Sequence, residues 1–163
     1  MKEGNTMRMW HKNMISILPR EQLVAQWREL SAIAGNIQIK GTPNHILVNK
    51  VMDYPMNHFI TYAAAVRAEM TRRGYRTLDK VWDKITSVCD GDYNILPLNE
   101  IYNDWMDDTY WIICYYNLKE KWICGGIKDT DWQKIEEADE WEWWGKSING
   151  KEYKKLSKLR CSN

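Results

Sequence analysis

LPREQLVAQWRELSAIAG, residues 18–35, decides how the rest of the chain is read. Pro19 suits the first helical position, where its missing N–H has no intrahelical partner to lose. Gly35 offers a left-handed stop. Between them Leu23, Trp27, Leu30 and Ala34 recur at helical spacing and make one apolar face. Gln22, Gln26 and Glu29 gather on a second, polar face. A carboxylate there, beside Arg28 and close in sequence to a basic N-terminus, is a candidate for chemistry; a solvated helix surface is the plainer reading.

Working outward, residues 7–17 alternate too poorly for a strand and read as an extended arm leading into the Pro19 helix. Residues 36–52 hold Gly41 and Pro43 and read as a loop, with a short buried turn at Ile46-Leu47-Val48. A second helix follows, capped by Asp53, with Pro55 in its first turn and Gly74 at its end. Its buried face is Met56, Phe59 or Ile60, Ala63, Val66 and Met70. Arg67, Arg72 and Arg73 supply its charge, the last two near the negative end of the helix dipole.

A third helix is expected over residues 78–88 and a turn-rich link over 89–97. Asn99 is placed to cap a long helix to about Trp122. Its TYWIICYY stretch is apolar almost all round, which predicts burial; its β-propensity leaves a strand open. Gly125-Gly126 breaks that element, and Asp129 to Asp139 fits another short helix. Trp141 to Gly145 forms an aromatic knot before a basic tail. The whole predicts a mostly α, compact single-domain fold with long loops and an N-terminal arm. Residues 1–6 are a flexible extension, 7–146 the helical domain and 147–163 a basic C-terminal tail.

At 163 residues the chain is long enough for one domain with a real core. Ten Trp and nine Tyr stand against a single Phe, a bias that serves cores, interfaces and base stacking alike. The net charge of +1 hides a gradient: residues 1–80 carry +6, residues 81–145 carry −10 and residues 146–163 carry +5. A basic front half can follow a phosphate backbone, provided the acidic middle faces away. Cys89, Cys114, Cys124 and Cys161 form no C-x-x-C pair, and His11, His45 and His58 complete no metal-ligand spacing. We therefore expect no metal, no cofactor and reduced thiols. No apolar signal core or membrane-length run is present, so a cytoplasmic protein without membrane contact is expected.

The ordered motifs carry more. The Trp27-Arg28-Glu29-Leu30 step, the Pro43 and Ile46-Leu47 link and the Arg73-Gly74-Tyr75 helix end come first. The Gly91-Asp92-Tyr93 turn, Leu118-Lys119-Glu120-Lys121 and Trp143-Trp144-Gly145-Lys146 follow in order. This succession resembles the pyrimidine-dimer DNA glycosylases, the bacteriophage endonuclease V family. The resemblance spans Met7 to about Lys146, with a longer insertion after Tyr93.

The resemblance implies a repair glycosylase with abasic-site lyase activity, acting as a monomer on damaged double-stranded DNA without a cofactor. That family attacks the damaged nucleotide's sugar with an N-terminal α-amine, releases the base, and nicks the strand by β-elimination from a Schiff base. An α-amine titrates at about 7.7–8.0 against about 10.4 for lysine, so far more of it is nucleophilic near neutrality. Glu29 matches the catalytic glutamate, Arg28 a phosphate-binding arginine and Lys121 a DNA-contacting lysine. Counting back from Glu29, Met7 falls on the initiator methionine and Arg8 on the nucleophile. Ala32 stands where the family has a second arginine, and Lys12 is a substitute Schiff-base lysine if its pKa is lowered. Arg67, Arg72, Arg73, Trp143, Trp144 and Lys146 complete the expected DNA surface. Two other readings keep the scaffold without the chemistry: a nucleic-acid-binding protein, and a protein-interaction module built on the acidic Trp-rich region.

Overall fold

The computed structural model describes residues 7–139 with their side chains, and the backbone alone of residues 141–143 and 155–157. Five α-helices dominate: α1 Arg20–Lys40, α2 Met56–Arg72, α3 Asp79–Ser87, α4 Asp108–Ile123 and α5 Asp129–Ala138. Two three-residue strands, β1 Trp141–Trp143 and β2 Lys155–Ser157, pair antiparallel with Trp141 opposite Ser157. The fold is mostly α, as predicted. Part of the expected tail is nevertheless strand; the remainder of residues 147–163, and residues 1–6, lie outside the described residues.

Packing centres on α1, which lies against both α2 and α3. Leu23, Trp27, Leu30, Ile33 and Ala34 of α1 are buried, as are Phe59, Ile60, Ala63, Val66 and Met70 of α2. These are the stripes read from helical spacing, except that Ile33 joins the first and Met56 of the second is only partly buried. Each full burial of such an apolar side chain is worth about 1.5–3 kcal/mol, and the two faces supply it to one another.

The α1 stop differs from the expectation. Gly35 lies inside the helix, which runs on to a left-handed Gly41 at φ 74°. Gly35 serves instead as a point of close approach: a Cβ there would meet the Lys84 Nζ of α3 at 3.0 Å. Similarly, α2 begins after Pro55 rather than under an Asp53 cap, because Asp53 closes a separate 3₁₀ turn, Asn49–Asp53. Its end at Gly74, with φ 83°, agrees with the sequence.

Four further corrections concern a turn, the α4 region and the arm. The buried turn expected at Ile46-Leu47-Val48 buries Val48 alone, leaving Ile46 86% and Leu47 42% exposed. The long helix expected from Asn99 starts only at Asp108, where the Asp107 side chain accepts from Tyr110 N. Before it, Tyr102 turns left-handed at φ 54° with its ring fully buried, so ring burial wins over helix continuity. TYWIICYY is helical and not a strand, but Ile113 and Tyr116 face solvent; Cys114, Tyr115 and Leu118 make the inward face. The N-terminal arm is not extended throughout. Residues Lys12–Ile17 form a 3₁₀ helix, and Met9, Trp10, Met14 and Ile15 are buried core.

Candidate active site

The site is made where the arm crosses α1. Gln26 and Glu29 stand one turn apart on the same face of the helix, a consequence of their i, i+3 spacing. The Arg8 main-chain N–H donates to Glu29 Oε2 at 2.8 Å. Gln26 Nε2 donates to the Arg8 carbonyl at 2.8 Å, while its Oε1 accepts from Trp10 N at 2.8 Å. From α2 the Tyr62 hydroxyl reaches both Gln26 Oε1 at 2.9 Å and the Trp10 carbonyl at 2.6 Å. From α4 the Tyr110 hydroxyl donates to the Met9 carbonyl. Buried main-chain groups demand such partners; here three helices satisfy one short arm and so set its register.

Lys12 completes the clamp. Its ammonium is buried and donates to the Ile101 carbonyl and to Asn103 Oδ1, tying the arm to the segment before α4. Burial lowers its pKa, the direction expected of a substitute amine. Yet its hydrogens are directed into the interior, towards acceptors that favour the charged form. His11, its neighbour, is buried against Tyr110 and Trp111 and is held chiefly by burial below the usual histidine value. Both line a pocket of about 620 Å³ with Asn103, Asp107 and Trp111.

Glu29 is half-buried. Burial raises its carboxyl to about 6, against the opposing pull of the Arg8 N–H and the charges of Arg8, Arg28 and Lys121. Such a group exchanges its proton near neutral pH, as a general acid–base must. Lys121, from the last turn of α4, thus shares one electrostatic site with Arg28 and Glu29. Arg28 and Lys121 are exposed and make no ion pair among the described residues. Met7, one residue before the Arg8–Glu29 contact, packs partly buried against the core.

The other predicted contacts are placed elsewhere. Arg67 pairs with Asp79 at 2.6 Å and lies over the Trp82 ring. Burial would raise the Glu69 carboxyl, but hydrogen bonds from Arg72 and Arg73 hold it below the usual range. Arg73 also donates to the Leu18 carbonyl at 2.7 Å and the Ser16 carbonyl at 3.1 Å. All three arginines therefore have intramolecular roles. The side chains of Trp143, Trp144 and Lys146 lie outside the described residues.

Sequence reading missed Gln26, Tyr62 and Tyr110 as site residues. Gln26 sits on the polar face already identified, and its full burial is what separates it from a solvated glutamine. Nothing in periodicity distinguishes Tyr62 from its core neighbours. Among the described residues no group of three His, Cys, Asp or Glu side chains is arranged to hold a metal ion, and no helix is long and apolar enough to cross a membrane.

Residues 7–83 match the family model described as pyrimidine dimer DNA glycosylase. No curated protein and no solved structure matches the chain. The matched span contains the arm, α1 with Arg28 and Glu29, and α2.

Proposed function

From the match of its residues 7–83 to the pyrimidine dimer DNA glycosylase family model, we propose that this chain excises damaged bases and nicks the resulting abasic site through an amine held beside Glu29. A DNA substrate follows from the family. The lyase step, the nucleophile and the role of Glu29 are the reading offered here. The observation that carries it is the 2.8 Å contact between Arg8 N and Glu29 Oε2.

A neutral amine attacks C1′ of the damaged nucleotide, and the glycosidic bond breaks with its electron pair leaving on the base. Loss of an amine proton leaves a glycosylamine. Its C1′–O4′ bond then opens, the electron pair leaving on O4′, which takes a proton, while the nitrogen lone pair closes onto C1′ to give the Schiff base. Removal of a C2′ proton then expels the 3′ phosphate, and water releases the product aldehyde and regenerates the amine. Glu29, with a carboxyl near 6, takes and returns these protons and stabilises the developing positive charge on the sugar. Exposed Arg28 and Lys121 meet the phosphates that flank the lesion.

The reading needs a free α-amine at the crossing. A chain starting at Met7 has its amine one residue from the observed contact, within about 3.8 Å, and one starting at Arg8 has it on the carboxylate itself. With both preceding peptide bonds intact, the nitrogen at Glu29 is an amide, whose delocalised lone pair does not attack carbon. That observation favours a second reading, a DNA-binding protein without cleavage, for the uncut 163-residue chain. Borohydride trapping on a duplex with one abasic site, followed by mass mapping of the adduct, separates the two. An adduct on the α-amine of Met7 or Arg8 supports the enzyme; an adduct on another amine such as Lys12 overturns the proposed nucleophile; and no adduct on any amine, in protein of defined start, leaves the binding protein.

A further inference from the structure

We propose that the turn Pro43 to Val48 is an apolar wedge that enters a base step of duplex DNA, with Ile46 at its tip and Leu47 beside it. The proposal rests on the reading that the chain acts on DNA, and adds a contact that the Glu29 site does not supply.

Four large apolar side chains within fourteen residues of sequence are exposed: Ile39 is 83% exposed, Ile46 86%, Leu47 42% and Met52 42%, and two of them, Ile46 and Leu47, are neighbours in the turn. The turn is also built to hold its tip outwards. Pro43 and Val48 are buried anchors at its two ends. Asn36 Nδ2 donates to the Pro43 carbonyl at 2.8 Å, and His45 N donates to Asn49 Oδ1 at 2.9 Å. Val48 N and Asn49 N both donate to the His45 carbonyl, at 3.0 and 2.9 Å. Asn44 takes a left-handed φ of 57°, a conformation that asparagine tolerates, with its N–H on Thr42 Oγ1 at 3.2 Å. The tip is preorganised, so little ordering cost attends its insertion.

Charge selects the occupant. From Leu30 to Met52 the chain has no Asp or Glu, while Lys40 and Lys50 flank the turn, both exposed. An apolar tip between two cations and without carboxylates suits a polyanion with an apolar interior, which is the description of stacked bases within phosphates. Placement agrees. Ile39 follows Arg28 by eleven residues in α1, so the two point within about 20° of each other, roughly 16 Å apart along the helix. That is the length of about five base pairs at 3.4 Å each. Ala32 between them is exposed and small, and leaves the duplex free to lie along this face.

The test uses the full chain, a duplex with a tetrahydrofuran abasic analogue, and 2-aminopurine next to it. Wild-type protein is expected to raise the 2-aminopurine fluorescence by unstacking, and to bend the duplex as read by energy transfer between end labels. The I46A/L47A variant, altered only at exposed positions, is expected to bind within about threefold of wild type and to lose more than about half of both signals. A separate K40Q/K50Q variant is expected to lower the slope of log affinity against log salt by about 1.8, for two phosphate contacts. Equal fluorescence and bending by wild type and I46A/L47A would overturn the wedge while leaving DNA binding intact. Failure of wild type to bind the duplex at low salt would instead remove the DNA reading, and the wedge with it. Loss of phosphatidylserine-vesicle binding or of self-association in I46A/L47A, with the DNA signals unchanged, would assign the tip to a membrane or a second copy and overturn the proposal.

Discussion

The main-chain nitrogen of Arg8 donates to Glu29 Oε2 across 2.8 Å, joining residues 21 positions apart in the chain. Gln26, one turn before Glu29, grips the same arm on either side of Met9, through the Arg8 carbonyl and the Trp10 N–H. Position on the helix and register of the arm are thereby coupled.

Glu29→Gln keeps an acceptor for the Arg8 N–H but removes the charge and the exchangeable proton. Schiff-base trapping and strand cleavage should fall by about 10² or more. Stability should move the other way. The folded carboxyl, at about 6, lies above its ordinary 4.5, so the folded state holds the proton more tightly and wild-type stability declines as pH rises through that window. Above it the uncompensated burial costs about 1 kcal/mol, after allowance for the solvent on the open side of the group. Thermal melts at pH 7.5 should show the variant about 2–4 °C more stable; a lower Tm would contradict this account of the burial.

The same carboxyl sets a pH profile. Single-turnover cleavage of an abasic duplex should rise with pH through an inflection near 6 as Glu29 becomes able to accept a proton. Any residual Glu29→Gln activity should lack that inflection. A wild-type rate that is flat between pH 5 and 7 would remove Glu29 from proton transfer.

Gln26→Leu strands the part-buried Arg8 carbonyl and the buried Trp10 N–H together, beside the Tyr62 hydroxyl. Denaturant unfolding should show a loss of about 2–4 kcal/mol, from one to two unsatisfied buried groups. Tyr62→Phe should cost about 1 kcal/mol, and the double variant less than the sum, because the groups share partners.

The arginines should divide into two classes. Arg73→Ala removes a partner of Glu69 and the cap on the Leu18 and Ser16 carbonyls, so it should cost stability, about 2–3 kcal/mol, with little change in the salt dependence of DNA binding. Arg28→Ala and Lys121→Ala should leave Tm nearly unchanged and each lower the salt slope by about 0.9. Fluorescence anisotropy titrations across a salt series, beside thermal melts, make the comparison.

The two glycines of α1 test where the helix ends. Gly41→Ala forces a side chain into φ 74° and should cost about 1–2 kcal/mol. Gly35→Ala meets only the flexible end of Lys84 at 3.0 Å, whose contact with Ser31 is a long 3.4 Å. The gain of up to about 1 kcal/mol from replacing a mid-helix glycine should leave that variant at or above wild-type stability.

Helical spacing was enough to find the buried faces of α1 and α2, because local geometry alone decides which side chains share a side. Glu29 and Arg28 were legible as candidate site residues for the same reason, once the ordered motifs around them were seen. The end of α1 was not, since Gly35 and Gly41 both offer a stop and only packing against Lys84 makes the first of them a contact point. The break before α4 was hidden too: burial of the Tyr102 ring overrides a stretch whose residues permit a helix.

What the sequence by itself determined, then, is the helical class, the two apolar stripes, the Glu29-bearing face and the uneven charge. These depend on residues within a few turns of one another. Only the tertiary structure decided that Gln26 is buried, that Tyr62 and Tyr110 hold the arm, and that Lys121 joins the field at Glu29. It alone showed that Arg67, Arg72 and Arg73 are engaged internally while Ile46 stands in solvent. The physical reason is common to all of these. Whether a polar group is solvated, buried or paired depends on what the rest of the chain brings within about 3 Å of it, and no local pattern contains that partner.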